Sequence, residues 1–219
     1  MKKFMIFAAM VGFCTWSAAG SITVSVVDKE GKPVQDAVVV ALPANKSVLP
    51  KAALSAQATI VQEKMQFVPA VTLVPVGAKV RFVNNDSWDH HVRSSPAGMG
   101  QFNSVNAGFE LRLEGKSEGK PAAFTDITLD KAGVVGSTLL GCFIHGSMRG
   151  YIYASESPWA LKTNAEGIAT FEDLPDGAVQ IRVWQADQLF DLAAQQSIVS
   201  VTPGKTLFKL SVIPRRRRS

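Results

Sequence analysis

The chain has 219 residues, 47% hydrophobic and 19% charged, with 23 Lys and Arg against 18 Asp and Glu and a formal net charge of +5. That length supports one large or two small domains with cores of their own. The composition is too apolar for a disordered polymer and too often interrupted by polar residues for a multi-span membrane protein. Three His (His90, His91, His145) and two Cys are present. A multinuclear hydrolytic or oxidative centre needs more imidazoles, so any metal site is mononuclear.

Lys2 and Lys3 open the chain, an apolar run spans Phe4 to Phe13, and Ser17, Ala18, Ala19 and Gly20 follow with small side chains. This layout reads as a secretory signal peptide over residues 1–20, which makes the mature protein periplasmic. The apolar run is too short to cross a bilayer, and no transmembrane segment is expected in the mature chain. Phe13 precedes Cys14, which argues against lipidation. Cleavage near Gly20/Ser21 removes Cys14 and leaves Cys142 alone, so no internal disulfide forms and the thiol must be buried or bound. The mature charge is +3, and Arg215 to Arg218 supply four of its cations. In an exported protein that run reads as a solvated tail, not a nucleic-acid patch.

From there the chain reads as strands. Ile22, Val24 and Val26 alternate with polar neighbours, Asp28 to Pro33 is a turn, and Val34 to Leu42 is apolar and β-branched. Pro43 to Gln57 is an Ala- and Lys-rich linker with room for one short helix. Further strands are expected at Ala58–Phe67, Val71–Val76, Lys79–Val83, His91–Ser94, Phe109–Leu113, Phe124–Leu129, Val134–Leu140 and Tyr151–Ala154. Gly77, Asn84-Asn85-Asp86 and Gly98-Met99-Gly100 punctuate them. Gly167–Phe171, Val179–Trp184 and Leu207–Ile213 follow, and only Leu189–Gln196 has helical character. Many short strands with frequent turns indicate an all-β sandwich protein.

Val24 to Val40 and Thr163 to Val183 resemble the front and back halves of one carboxypeptidase-regulatory-like, or transthyretin-type, β-sandwich. Neither half has enough strands to bury a core alone. The expected organisation is therefore an inserted one: residues 21–50 begin the outer sandwich, 51–155 form a separate domain, 156–213 complete the outer sandwich, and 214–219 are a basic tail.

The chemistry concentrates in two stretches, Phe82 to Val92 and Gly141 to Ile152. The spacing C-x2-H-x2-M at Cys142, His145 and Met148 brings a thiolate, an imidazole and a thioether together on one tight loop. An upstream His on a neighbouring strand can complete a set of two His, one Cys and a distant Met, the donors of an electron-transfer copper site. Adjacent strand residues point to opposite faces, so only one of His90 and His91 can face a given metal. Zinc is the competing ion for Cys and His, and the Met favours copper. Trp88 and Trp159 read as packing or loop-anchoring aromatics. No phosphate loop, serine elbow or H-E-x-x-H helix is present.

These motifs resemble the cupredoxin, or blue copper, family. N-N-x4-H-x-V at Asn84 to Val92 is similar to plastocyanin's first-ligand loop, and C-x2-H-x2-M has amicyanin's spacing. The run from Gly141 to Tyr153 is similar to cupredoxin-like proteins associated with methylamine utilisation. The resemblance implies a cupredoxin Greek-key sandwich inserted into the smaller outer one, with His90, Cys142, His145 and Met148 as ligands to one mononuclear copper. It places His91 where many members carry Asn, whose backbone reaches the Cys sulfur, and puts Asp89 in place of a familiar Pro, near the imidazole edge. The implied function is a periplasmic electron carrier, not an enzyme, with redox partner proteins of acidic character and no nucleic-acid partner. Copper delivery or storage is the alternative function, and a β-sandwich interaction protein with a structural metal is a third.

Overall fold

The computed structural model describes residues 19–46, 48–98, 108–129 and 136–215. Residues 1–18 of the expected signal peptide, Met99 and Gly100, the first two residues of the Val134–Leu140 strand, and Arg216 to Arg218 lie outside the described residues.

Sixteen strands and no helix occur among the described residues. They are β1 (Ala19–Val27), β2 (Val38–Pro43), β3 (Gln57–Glu63), β4 (Gln66–Val68), β5 (Val71–Pro75), β6 (Lys79–Asn84), β7 (His90–Pro96) and β8 (Glu110–Leu113). The second half holds β9 (Ala123–Thr128), β10 (Gly136–Cys142), β11 (Arg149–Ser155), β12 (Ala160–Lys162), β13 (Ile168–Pro175), β14 (Gly177–Trp184), β15 (Gln195–Val199) and β16 (Gly204–Lys209). No helix of the described residues is long and apolar enough to cross a membrane.

The strands form four sheets: β13-β1-β16, β12-β2-β14-β15, β4-β3-β6-β9 and β5-β11-β10-β7-β8. The first two draw only on the ends of the chain and the last two only on its middle. Each pair encloses its own core. Ile22, Val24 and Val26 of β1 pack with Val39, Phe171, Ile181 and Phe208. Ile60, Phe82, Val92, Leu140 and Ile152 make a second core between the middle sheets. The fold is thus all-β, with inner faces of facing sheets interlocking as sandwiches.

A third apolar cluster joins the two cores: Val38, Val40, Val71, Ala160 and Trp184, with Leu73, Tyr151 and Tyr153 packed against them. It explains why β2 reads as an unbroken apolar run. Val39 and Ala41 face the outer core while Val38 and Val40 face the joint, so both faces are buried and alternation disappears. β11 splits the same way, Ile152 inward and Tyr151 and Tyr153 onto the joint.

Three expectations change. Leu189–Gln196 is not helical: residues 189–194 are irregular and β15 starts at Gln195, paired antiparallel with β14. A neighbouring edge with free ladder groups outweighs the weak propensity of so short a segment. The linker of residues 43–57 holds no helix among its described residues. Ala58–Phe67 is two strands, β3 and β4, joined by Lys64 and Met65 with φ of 53° and 57°. That is the mirror-image two-residue hairpin turn, which usually carries Asn or Gly.

Candidate metal centre

The site forms at one end of the middle sandwich, where β7 begins and β10 stops. β7 and β10 pair antiparallel with Cys142 opposite Val92, and the Phe143 N–H extends the ladder to the His91 carbonyl at 2.8 Å. Beyond Cys142 the chain turns through residues 143–148. The Met148 N–H closes that turn on the His145 carbonyl at 2.9 Å, and β11 leads back. Gly150 has to be glycine here, because a Cβ would sit 2.8 Å from the Phe67 Cβ. The loop return can therefore lie flat against β4.

Alternation along β7 sends His90 and Val92 into the core and His91 and Arg93 outward. His90 is fully buried, Cys142 and Met148 are buried in the same core, and His145 is half-buried at the rim. Cys142 Sγ lies 3.6 Å from His90 Nδ1 and 3.6 Å from His145 Nδ1, and the two nitrogens are 3.2 Å apart. His90, Cys142 and His145 thus form a group that can hold a metal ion. An ion held about 2.0–2.1 Å from nitrogen and about 2.3 Å from sulfur, at tetrahedral to trigonal angles, spaces such donors roughly 3.3–3.8 Å apart. The triangle is close to that size.

His91 is not part of it. Its Nε2 lies 3.4 Å from Glu110 Oε2, and its ring packs on Phe143 at 5.8 Å between centroids. Asp89 lies close enough to His90 to interact with it electrostatically but does not hydrogen-bond the ring. Its carboxylate accepts the Arg112 guanidinium at 2.7 Å and the Gly115 N–H at 2.9 Å, and these two, Arg112 first, hold its carboxyl below the usual range.

The carboxylate on the imidazole is Asp86, three residues earlier. His90 Nε2 and Asp86 Oδ2 are 2.9 Å apart, both buried. Burial pushes the Asp86 carboxyl up, but the Met65 N–H, the His90 ring and the Lys64 N–H together hold it below its ordinary value. Asn84, fully buried, pins the same loop: its Nδ2 donates to the Trp88, Leu113 and Glu114 carbonyls, and its Oδ1 accepts the Asp86 N–H. The signal for Asp86 was its place four residues before a His, and for Asn84 its place at an inward position of β6.

The rim is apolar. Trp88 (43% exposed) touches the half-buried His145, and Phe143 (67%) and Ile144 (54%) are exposed on the same 143–148 loop. Trp88 meets the His145 ring edge-on at 6.5 Å, and the Arg93 guanidinium lies 5.2 Å above the Phe143 ring. Trp159 is a core residue of the outer sandwich.

No protein-family model and no curated protein matches the chain. Among solved structures, an oxidised amicyanin variant is 18% identical over 52% of this chain and 98% of its own, with a TM-score of 0.34. The Cu(I) form of another amicyanin variant is 19% identical over 53% of this chain and 99% of its own, with a TM-score of 0.35. A purple cupredoxin from Nitrosopumilus maritimus is 19% identical over 45% of this chain and 99% of its own, with a TM-score of 0.31.

Proposed function

We propose that the protein is a periplasmic electron-transfer protein binding one copper ion through His90 Nδ1, Cys142 Sγ and His145 Nδ1, with Met148 as the fourth donor. The observation that carries this reading is the thiol-and-two-imidazole triangle, buried at His90 and Cys142 and half-buried at His145. Bound copper supplies a one-electron couple between Cu(I) and Cu(II). Thiolate and thioether suit the reduced ion and imidazoles suit both, so one donor set serves both states.

The chain's own residues keep that set in place. Cys142 ends a paired strand, His90 begins one, and Asn84 holds the loop before His90. His145 is the donor that reaches the surface, beside the exposed Trp88 and on the same loop as the exposed Phe143 and Ile144, an apolar flank on which a partner can dock. We further propose that residues 51–155 are the copper unit, inserted into an outer sandwich made from 21–50 and 156–213. The separate cores and the chain-end composition of the outer sheets support that division.

The test is the visible spectrum of the oxidised, copper-loaded protein. One intense thiolate-to-copper band per copper is expected, and Cys142→Ser should abolish it. A full band in that variant rejects the assignment.

A further inference from the structure

We propose that Asp86 is a positioning residue of the metal centre: its buried carboxylate ties the His90 ring to the Lys64–Met65 turn, keeps Nδ1 open toward Cys142, and biases the site toward the divalent ion. The inference rests on the copper reading above and adds a residue outside the donor set.

One carboxylate serves three N–H groups. Asp86 Oδ1 accepts from Lys64 at 2.6 Å, and Oδ2 accepts from Met65 at 3.0 Å and from His90 Nε2 at 2.9 Å. A carboxylate only accepts, so the hydrogen bond places a ring proton on Nε2 and leaves Nδ1 as the nitrogen that faces Cys142 inside the triangle. The histidine therefore has its tautomer and its tilt set before any ion arrives.

The turn end of the clamp is strained. Lys64 and Met65 both hold positive φ without being glycine, a conformation that persists only where surrounding contacts over-determine it. The two hydrogen bonds to Asp86 are those contacts. The other end is fixed as well, since the Asp86 N–H bonds Asn84 Oδ1 at 3.0 Å. A turn between β3 and β4 in one sheet thus sets the orientation of a ring on β7 in the other. The carboxylate also places a negative charge against the imidazole, which favours a doubly charged ion over a singly charged one and makes the ligand more basic. Asp89, engaged with Arg112 and Gly115, shares only a through-space charge interaction with His90 and no hydrogen bond, so it is the control for the clamp.

The full-length protein, Asp86→Asn and Asp89→Asn are compared by chelator competition for Cu(II) and for Cu(I), and His90 in the metal-free protein is read by nitrogen NMR. In either amide orientation, Asn at this position turns an NH2 toward at least one of the three N–H donors, toward Lys64 in one and toward Met65 and His90 in the other. Asp86→Asn is expected to lose about 10–100-fold in Cu(II) affinity and less in Cu(I) affinity, while Asp89→Asn, which breaks no hydrogen bond to the ring, loses clearly less than Asp86→Asn. Metal-free His90 should be the Nε2–H tautomer. Equal losses for both ions overturn the charge bias, and unchanged affinities or an Nδ1–H tautomer overturn the clamp. If Asp86→Asn does not fold, Asp86→Glu keeps the charge on a longer stem, and parent-like Cu(II) binding by it overturns the positional claim. A parent protein that binds no copper rejects the copper reading and the charge bias with it, and the tautomer then decides the clamp by itself.

Discussion

Tyr151 meets Trp184 edge-on, with ring centroids 5.5 Å apart, and Tyr153 packs on the same indole at 5.5 Å. Tyr151 follows the 143–148 loop on β11 and Trp184 ends β14, so this contact fastens the middle sandwich to the outer one. Trp184→Ala should cost about 3–5 kcal/mol, as truncation of a buried aromatic does. A urea titration reads that loss, and the metal-loaded spectrum of the folded variant should be unchanged because Tyr151 and Ile152 face opposite sides of β11. A residue 51–155 fragment bares Val71, Leu73, Tyr151 and Tyr153 together and should self-associate on sedimentation.

Loss of the two adjacent histidines should differ. His90→Ala removes one corner of the triangle and should abolish stoichiometric copper binding in equilibrium dialysis. His91→Ala removes a half-exposed contact with Glu110 and Phe143 and should retain the ion. Reversal of the two results would shift the β7 register by one residue.

Asp126 sits between Arg81 and Lys79, at 2.7 and 2.8 Å, and the Arg81 hydrogen bond, then Lys79, holds its carboxyl far below the usual carboxylate range. A carboxyl lowered on folding adds stability that is present above its unfolded value, about 3.9, and is lost as pH falls through the folded one. The stability difference between the parent and Asp126→Asn should stay level from neutral pH to about 5 and shrink below about 4. Denaturation midpoints across that range check it.

Arg149 is exposed where β11 leaves the loop, one residue after Met148. Arg149→Glu should slow electron exchange with an acidic redox partner at low ionic strength and leave the copper spectrum unchanged. Rates measured across a salt series should converge with the parent's as screening rises. An altered spectrum with an unaltered salt slope would make Arg149 a brace for the loop.

Much of this was legible where one face of a strand is buried. Alternation marked Ile22 to Val26 and showed that His90 and His91 face opposite ways, the resemblance at Asn84-Asn85 singled out His90, and the short C-x2-H-x2-M spacing put a Cys and a His on one turn. Legibility failed where a partner strand decides the outcome. β15 has no apolar alternation of its own, with only Val199 fully buried, and exists because β14 offers an edge. The Lys64–Met65 turn carries neither Gly nor Asn, since its conformation is held by a carboxylate 21 and 22 residues away. The same distance hid Asp86. Reading along the chain favoured Asp89, next to the His, whereas the loop places the side chain four residues back against the ring.

The pairing of β2 with β12, Val40 opposite Ala160, also constrains how the chain can assemble. Closing a loop of on the order of a hundred residues costs about 4 kcal/mol in chain entropy before any outer contact forms. A middle sandwich that is already folded holds its own ends close, the Lys79 N–H donating to the Ala56 carbonyl and the Val76 N–H to the Ser155 carbonyl, and removes most of that cost. β1 and β2 leave the ribosome first, yet their partners β12, β13, β14 and β16 come last. β1 and the unbroken apolar run of β2 must therefore wait, without their sheet partners, until the whole middle of the chain has been made and has collapsed.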